Sequence, residues 1–186
     1  MSGLRSAVAF IIQTLAQLYI LLLLLRFWLP WLRADFRNPV AQGILRFTSP
    51  LILPVRRMVP SVWRLDTATI LVAFIVQFLT LVVLALIYGA PVPHPLPLAV
   101  TTVIELIVLS LNLFFFAILI RVVLSWVAPH AYNPITALVT TLSEPVLRPF
   151  RRSIPTIGGL DISPVFALIL IQAAVIFLGH LKPPLV

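Results

Sequence analysis

The sequence predicts an all-α, polytopic membrane protein whose four transmembrane helices form two tandem parallel repeats with short interfacial amphipathic helices. Three observations predict it. The 186 residues are 61% hydrophobic and only 10% charged, against about 25% charged in soluble domains, so polar side chains are too few to cover a soluble surface. Four stretches are apolar over the roughly 20 residues that a helix needs to cross about 30 Å of hydrocarbon. The frame PLILPVRRMVP at 50–60 returns at 145–155 as PVLRPFRRSIP, ninety-five residues later.

The first span is Leu4–Leu25, interrupted by Arg5, Gln13, Thr14 and Gln17. It exceeds the roughly 7 to 15 residue core of a cleavable signal and runs into aromatics and Arg26 with no small-residue cleavage site, so it reads as a retained span. The link 26–66 contains NPVAQGILRFTSPLILPVRRMVP. Its many apolar side chains predict short helices in the interfacial layer, with prolines ending one and starting the next. Thr67–Tyr88 is the second span and carries no charge. The connection GAPVPHPLP at 89–97 has no room to fold by itself, which makes spans two and three a tight antiparallel pair. Leu98–Ile120, with one acid at Glu105, is the third span, and a second long link covers 121–161. Ile162–Leu181 is the fourth, with Pro164 in its first turn, where a missing N–H costs little. Unpaired backbone in lipid costs several kcal/mol per group, so the runs must be helices; a barrel would need a period-two alternation that is absent.

The bases set the orientation. The first long link holds Arg26, Arg33, Arg37, Arg46, Arg56, Arg57 and Arg64, and the second holds Arg121, Arg148, Arg151 and Arg152. Only Arg5 and Lys182 fall on the other side. By the positive-inside rule both links are cytoplasmic and both termini face outward, which in a bacterium is the periplasm.

At an offset of ninety-five, Arg26 falls on Arg121, Asn38–Pro39 on Asn133–Pro134, Pro50 on Pro145 and Pro54 on Pro149. Arg56–Arg57 fall on Arg151–Arg152, Pro60 on Pro155, Leu65–Asp66 on Leu160–Asp161 and Gln77 on Gln172. The offset needs no gap, so the chain reads as two copies of one unit, 1–92 and 93–186. Two spans per unit bring both copies in from the same side. That is a parallel repeat about an axis along the membrane normal, unlike the inverted repeats of many transporters.

Few polar groups are placed to act. Arg56–Arg57 and Arg151–Arg152 sit between restrictive prolines, which predicts a stiff turn presenting each pair at the membrane surface. There they anchor topology and attract anionic lipid at about 1 kcal/mol per base, or form a docking site for a headgroup or an acidic partner. Asp66 and Asp161 precede the second span of each unit, where each can cap the helix start or pair with Arg26 or Arg121. Glu105 is either a functional intramembrane acid or a residue close to the headgroups. Gln13, Gln17, Gln77, Asn112 and Gln172 suit helix–helix hydrogen bonds, and the Gln77–Gln172 equivalence suggests a matched interface.

Several activities have no residues to support them. With no cysteine, disulfides, thiolate catalysis and cysteine-bound metals are excluded. His94, His130 and His180 make no ligand spacing, and no nucleophile elbow or phosphate loop occurs. The net charge of +8 lies between apolar runs, without the interleaved aromatics of a nucleic-acid surface. The expectation is a protein that is not an enzyme, needs no cofactor and binds no nucleic acid.

The paired frames N-P, P-x-x-x-P-x-R-R-x-x-P and L-D resemble the YggT family of bacterial inner-membrane proteins, related to the YlmG proteins of cyanobacteria and plastids. The resemblance covers about residues 8–180 in a two-copy form. It runs through Asn38, Pro39, Pro50, Pro54, Arg56, Arg57, Pro60 and Asp66, then Asn133, Pro134, Pro145, Pro149, Arg151, Arg152, Pro155, Gly158, Gly159, Asp161 and Pro164. The first copy departs at Ser61–Arg64, which has no double glycine. The resemblance implies a bacterial inner membrane and no enzyme, with family roles ranging over osmotic tolerance, nucleoid or plastid division and cytochrome assembly. The expected function is a non-enzymatic scaffold or assembly factor that holds anionic lipid or a membrane partner through its basic links; a homo-oligomer is a further expected association. The alternative is a subunit of an ion-transport or osmotic-stress system, with Glu105 as its pathway group.

Overall fold

The computed structural model describes residues 2–59, 66–127, 133–154 and 161–184. All regular structure among them is helical: α1 Ser2–Trp31, α2 Pro39–Met58, α3 Thr67–Tyr88, α4 Pro95–Val127, α5 Pro134–Ser153 and α6 Ser163–His180. Four of these, α1, α3, α4 and α6, are long and apolar enough to cross a bilayer. Their outward faces are lined with large apolar side chains, among them Phe10, Leu15, Leu79 and Ile169, as surfaces turned to a hydrocarbon environment are. The protein is an all-α, multi-pass membrane protein.

The span α3 has the boundaries that its apolar run predicts, whereas α1 and α4 continue past the expected ends at Leu25 and Ile120. Arg26 and Arg121 do not stop these helices, because a charge ends a hydrophobic run without breaking backbone hydrogen bonds. At 33 residues, α4 is roughly 50 Å long and outreaches the hydrocarbon core. Breakers of backbone type end the helices instead. Arg33 adopts φ 53°, and with Arg33 N bonded to Pro30 O at 3.3 Å and Ala34 N to Leu29 O at 3.0 Å the end of α1 is a Schellman turn. Gly89, at φ 69°, closes α3 in the same way through Ala90 N to Ala85 O at 2.9 Å.

The long links also differ from expectation. Each holds one continuous helix of 20 residues in place of several short ones, with Pro50 and Pro54 inside α2 and Pro145 and Pro149 inside α5. All four prolines are exposed. Four residues apart, each pair lies on one outward face, so the carbonyls that lose a partner point away from the bundle, where polar surroundings can satisfy them. The inward faces, Ala41, Ile44, Thr48 and Ile52 in α2 and Leu138, Leu142, Ser143 and Leu147 in α5, are buried.

In the packing, α1 lies mainly on α3, α4 packs equally on α5 and α6, and α3 and α4 join the two halves. At one end of the bundle α2 crosses α1 and α3, α5 crosses α4 and α6, and α2 touches α5. The largest core lies at that end and includes Leu29, Ile44, Phe114, Ile118, Leu142 and Ala167. A smaller core around Leu23, Ile52, Ala68 and Val72 seats α2 against α1 and α3.

Candidate functional site

The arginines gather at the end of the bundle where α2 and α5 cross. Arg26, near the end of α1, is only 5% exposed. Its Nη1 donates to Thr48 Oγ1 at 2.8 Å, Ser49 Oγ at 3.0 Å and Leu45 O at 3.2 Å. The Thr48 hydroxyl in turn donates to Ile44 O at 2.7 Å. Arg26 therefore fixes α2 across α1 through one side of its guanidinium, while Nε stands 3.9 Å from Asp66 Oδ2. Asp66 is the N-cap of α3, accepting from Thr69 N at 3.3 Å and Thr69 Oγ1 at 2.8 Å. It also receives a hydrogen bond from Arg56, in the last turn of α2. One carboxylate thus caps a span and ties down the helix that crosses it.

In the second half Arg121 Nη1 donates to Ser143 Oγ at 3.0 Å and to Glu144 Oε2 at 2.7 Å. Arg151 Nη1 reaches the same Glu144 oxygen at 3.1 Å, and its Nε reaches Asp161 Oδ2 at 2.8 Å. Arg121 is therefore paired with Glu144 and not with Asp161, contrary to the sequence expectation. Glu144 stands where the first half has Ser49, and it intercepts Arg121 within its own crossing helix. Asp161 precedes the N-cap residue Ile162 by one position and accepts from Ser163 N at 3.0 Å. The hydrogen bond from Arg121 holds the Glu144 carboxyl below the ordinary glutamate range against the opposing effect of burial, and Arg151 adds to it. Burial pushes Asp161 up, but hydrogen bonding by Ser163 and Arg151 prevails and its carboxyl lies below the usual aspartate range.

Each double arginine is divided in role. Arg56 and Arg151 are held by Asp66 and Asp161, whereas Arg57 and Arg152 are exposed and make no ion pair or hydrogen bond among the described residues. All four lie in the last turn of a helix, where a cation also complements the helix dipole, and not in the stiff turn expected. Arg46 and Arg148 are exposed and unpaired in the same sense. Between α4, α5 and α6 a cavity of about 410 Å³ has Arg121, Arg151, Asp161 and Ser125 on its polar wall and Trp126 and Leu147 among its apolar lining.

Toward the other end of the bundle, Glu105 accepts hydrogen bonds from Gln77 of α3 and, at 3.1 Å, from Lys182 beyond α6. Gln77 is 4% exposed, while Gln172 lies on the outer surface of α6, so the two glutamines do not form the matched interface that their spacing suggests. Neither the Lys182 partner nor the Gln77 partner of Glu105 was predicted, because they are brought together from 77 and 28 residues away.

The CCB3/YggT family model matches residues 5–87 and 100–181. The chain belongs to the CCB3/YggT family. It is 43% identical over 173 residues to an uncharacterized protein of Pseudomonas aeruginosa, covering 92% of this chain and 88% of that one. YggT of Escherichia coli K12 is 33% identical over 167 residues, 89% and 86% of the two chains. The chloroplastic YlmG homolog protein 2 of Arabidopsis thaliana is 40% identical over 63 residues, 34% of this chain and 25% of that one. No solved structure matches.

Within this YggT-family chain the asparagine–proline motifs start the crossing helices. Asn38 caps α2 by accepting from Val40 N at 2.8 Å, and Asn133 caps α5 by accepting from Thr136 N at 2.8 Å, each followed by proline at the first helical position. The two caps meet, because Asn38 Nδ2 donates to Pro134 O at 2.6 Å. Pro60, Arg64, Leu65, His130, Pro155, Gly158, Gly159 and Leu160 lie outside the described residues. Among the described residues no three of His, Asp or Glu are grouped to hold a metal.

Proposed function

We propose that this YggT-family protein is a non-enzymatic organiser of the bacterial inner membrane that holds anionic phospholipid headgroups, and through them membrane partners, at its cytoplasmic face. The observation that carries this reading is the division of labour in each double arginine. With Arg56 and Arg151 engaged internally, Arg57 and Arg152 are exposed, as are Arg46 and Arg148 on the same helices, and none of the four has an ion pair among the described residues. Guanidinium groups at this level favour phosphate oxygens, which they can meet with paired hydrogen bonds. The amphipathic cavity beside Arg121 and Arg151, apolar on one side and polar on the other, suits the glycerol region of such a lipid.

The same reading takes α2 and α5 as interfacial helices, the arginine-rich end as cytoplasmic and both termini as periplasmic, following the positive-inside rule. It takes the chain as two copies of one three-helix unit, 1–92 and 93–186. Two facts support the duplication. Arg26 contacts Thr48 and Ser49 as Arg121 contacts Ser143 and Glu144, and Arg56 meets Asp66 as Arg151 meets Asp161, all at the offset of ninety-five. The alternative, an ion-transport or osmotic-stress subunit, would route a cation past Glu105. That carboxylate is already held by Gln77 and Lys182, so a cation would have to displace an ammonium group.

The test is lipid retention. Purified protein washed in mild detergent retains phosphatidylglycerol over phosphatidylethanolamine, and Arg57→Ala with Arg152→Ala lowers that preference by roughly thirtyfold, at about 1 kcal/mol per base. Unchanged retention would remove the lipid reading. Loss of a co-purifying membrane protein with lipid unchanged would replace it with a protein partner, and cation flux in liposomes that Glu105→Gln abolishes would favour transport.

A further inference from the structure

Gln172 lies nine residues into α6, counted from Ser163, or roughly 14 Å along the helix axis, near the middle of about 30 Å of hydrocarbon. It is exposed on the bundle surface and makes no hydrogen bond among the described residues. At that depth exposure means contact with acyl chains, which neither donate nor accept hydrogen bonds, and an unsatisfied carboxamide there is costly. The residues three and four positions away, Leu168, Ile169, Val175 and Ile176, are apolar, so α6 itself offers no partner. Gln13 and Gln17 on α1 are also exposed, but four residues apart they can bond one another along the helix. Gln77 is satisfied at one end by Glu105.

Gln172 lies on the broad exposed face of α6, which also holds Phe166, Leu170 and Phe177, and one edge of that face can form a seam. Val165, Ile169, Gln172, Ile176 and Gly179 follow one another at spacings of four, three, four and three, and all five are exposed. This is the period of helices that pack along their length. A side chain at Gly179 would meet nothing within 4 Å in its own chain, so the close approach which glycine permits is unused within the single bundle. The other side of α6 packs on α4 and α5, which leaves the seam open.

We infer that the α6 seam is the contact between two copies of this chain, related by a twofold axis along the membrane normal, with Gln172 of each copy bonded to Gln172 of the other. The amide supplies the complementarity that a purely apolar face would lack. It carries a donor and an acceptor, and a second copy inserted in the same direction brings an identical group to the same depth, so each satisfies the other across a self-complementary interface. Lipid cannot do this. The inference uses none of the arginines, although Val165 at the start of the seam also lines the cavity beside Arg121 and Arg151.

Because the chain has no cysteine, single cysteines report the contact directly. Oxidation of bacterial membranes containing full-length Ile176→Cys or Ile169→Cys gives a disulfide-linked dimer, whereas Leu170→Cys, exposed but over a quarter turn from the seam, gives far less. In bilayers at fixed protein-to-lipid ratio, subunit counting by photobleaching finds two copies per particle, and Gln172→Leu weakens the association on the order of tenfold. Gln172→Leu removes only an outward-facing amide, and an unchanged thermal unfolding profile of the monomer separates this effect from misfolding. Single copies of the wild type, equal crosslinking on and off the seam, crosslinks to a different protein, or an undiminished Gln172→Leu dimer would each overturn the inference.

Discussion

Nη1 of Arg26 stands 2.8 Å from Oγ1 of Thr48, and both side chains are buried. This contact joins a transmembrane helix to the helix that crosses its end, and with Asp66 3.9 Å away it makes Arg26 the residue on which the first half closes. Arg26→Ala leaves the buried Thr48 hydroxyl and Ser49 without their donor, while Asp66 keeps its closer partner Arg56, so the expected loss is about 1 to 3 kcal/mol. Arg26→Lys recovers part of it, because an ammonium on a shorter stem cannot hold three acceptors and face Asp66 together. Thermal unfolding of the two variants in detergent checks the order.

Adjacent arginines have opposite consequences for stability. Arg56→Ala loosens the Asp66 cap and costs no more than about 1 kcal/mol, because the Arg56 side chain is 43% exposed and screened. Arg57→Ala leaves the unfolding midpoint where it was. The same split separates Arg151→Ala from Arg152→Ala. Equal midpoints for Arg56→Ala and Arg57→Ala would contradict the division of roles.

Stability falls in acid through Glu144 and Asp161. Both have folded-state pKa values below their ordinary ones, so in that interval the folded chain binds fewer protons than the unfolded one and stability rises with pH. The contribution is complete above the unfolded values near 4 and disappears as pH drops through the folded ones. Wild type loses midpoint temperature from pH 6 to 3. The double variant Glu144→Gln, Asp161→Asn starts lower and changes less, so the two curves converge in acid.

Lys182 fastens the segment after α6 to α4 through Glu105. Lys182→Glu places two carboxylates together and lowers the midpoint, while Glu105→Lys with Lys182→Glu restores most of the loss. Glu105→Gln is milder, since the amide oxygen can still accept from Gln77 and only the ion pair is lost. Failure of the charge swap to recover anything would show that this pair holds nothing together.

Arg33 carries the left-handed backbone that ends α1. Arg33→Gly removes the Cβ clash and raises stability by about 1 kcal/mol, whereas Gly89→Ala lowers it by a similar amount. Unfolding midpoints of the two variants, moving in opposite directions, are the measurement.

The spans could be read from sequence because hydrocarbon imposes one rule, an unbroken apolar run with internal hydrogen bonds, and α3 obeys it to the residue. The ends of α1 and α4 could not be placed, because a run ends at Arg26 and Arg121 while a helix ends where the backbone turns. The crossing helices were visible as amphipathic material, but Pro50, Pro54, Pro145 and Pro149 read as breaks; only the fold shows that all four face outward. Asp66, standing just before a span, reads as a cap or a partner of Arg26, and it makes both contacts. The Glu144 link to Arg121 carried no local signal, because it joins α5 to α4 across 23 residues. Lys182 with Glu105 carried none.

One helix, α4, carries both Glu105 and Arg121. Sixteen positions, about 24 Å of unbroken helix, separate them, and its prolines, Pro95 and Pro97, stand in its first turn. With no joint between the two anchor points, α4 behaves as a stiff rod through the bilayer. A displacement imposed at Glu105 is therefore expected to reach Arg121 as a slide or a twist of the helix, because no hinge between the two positions can absorb it.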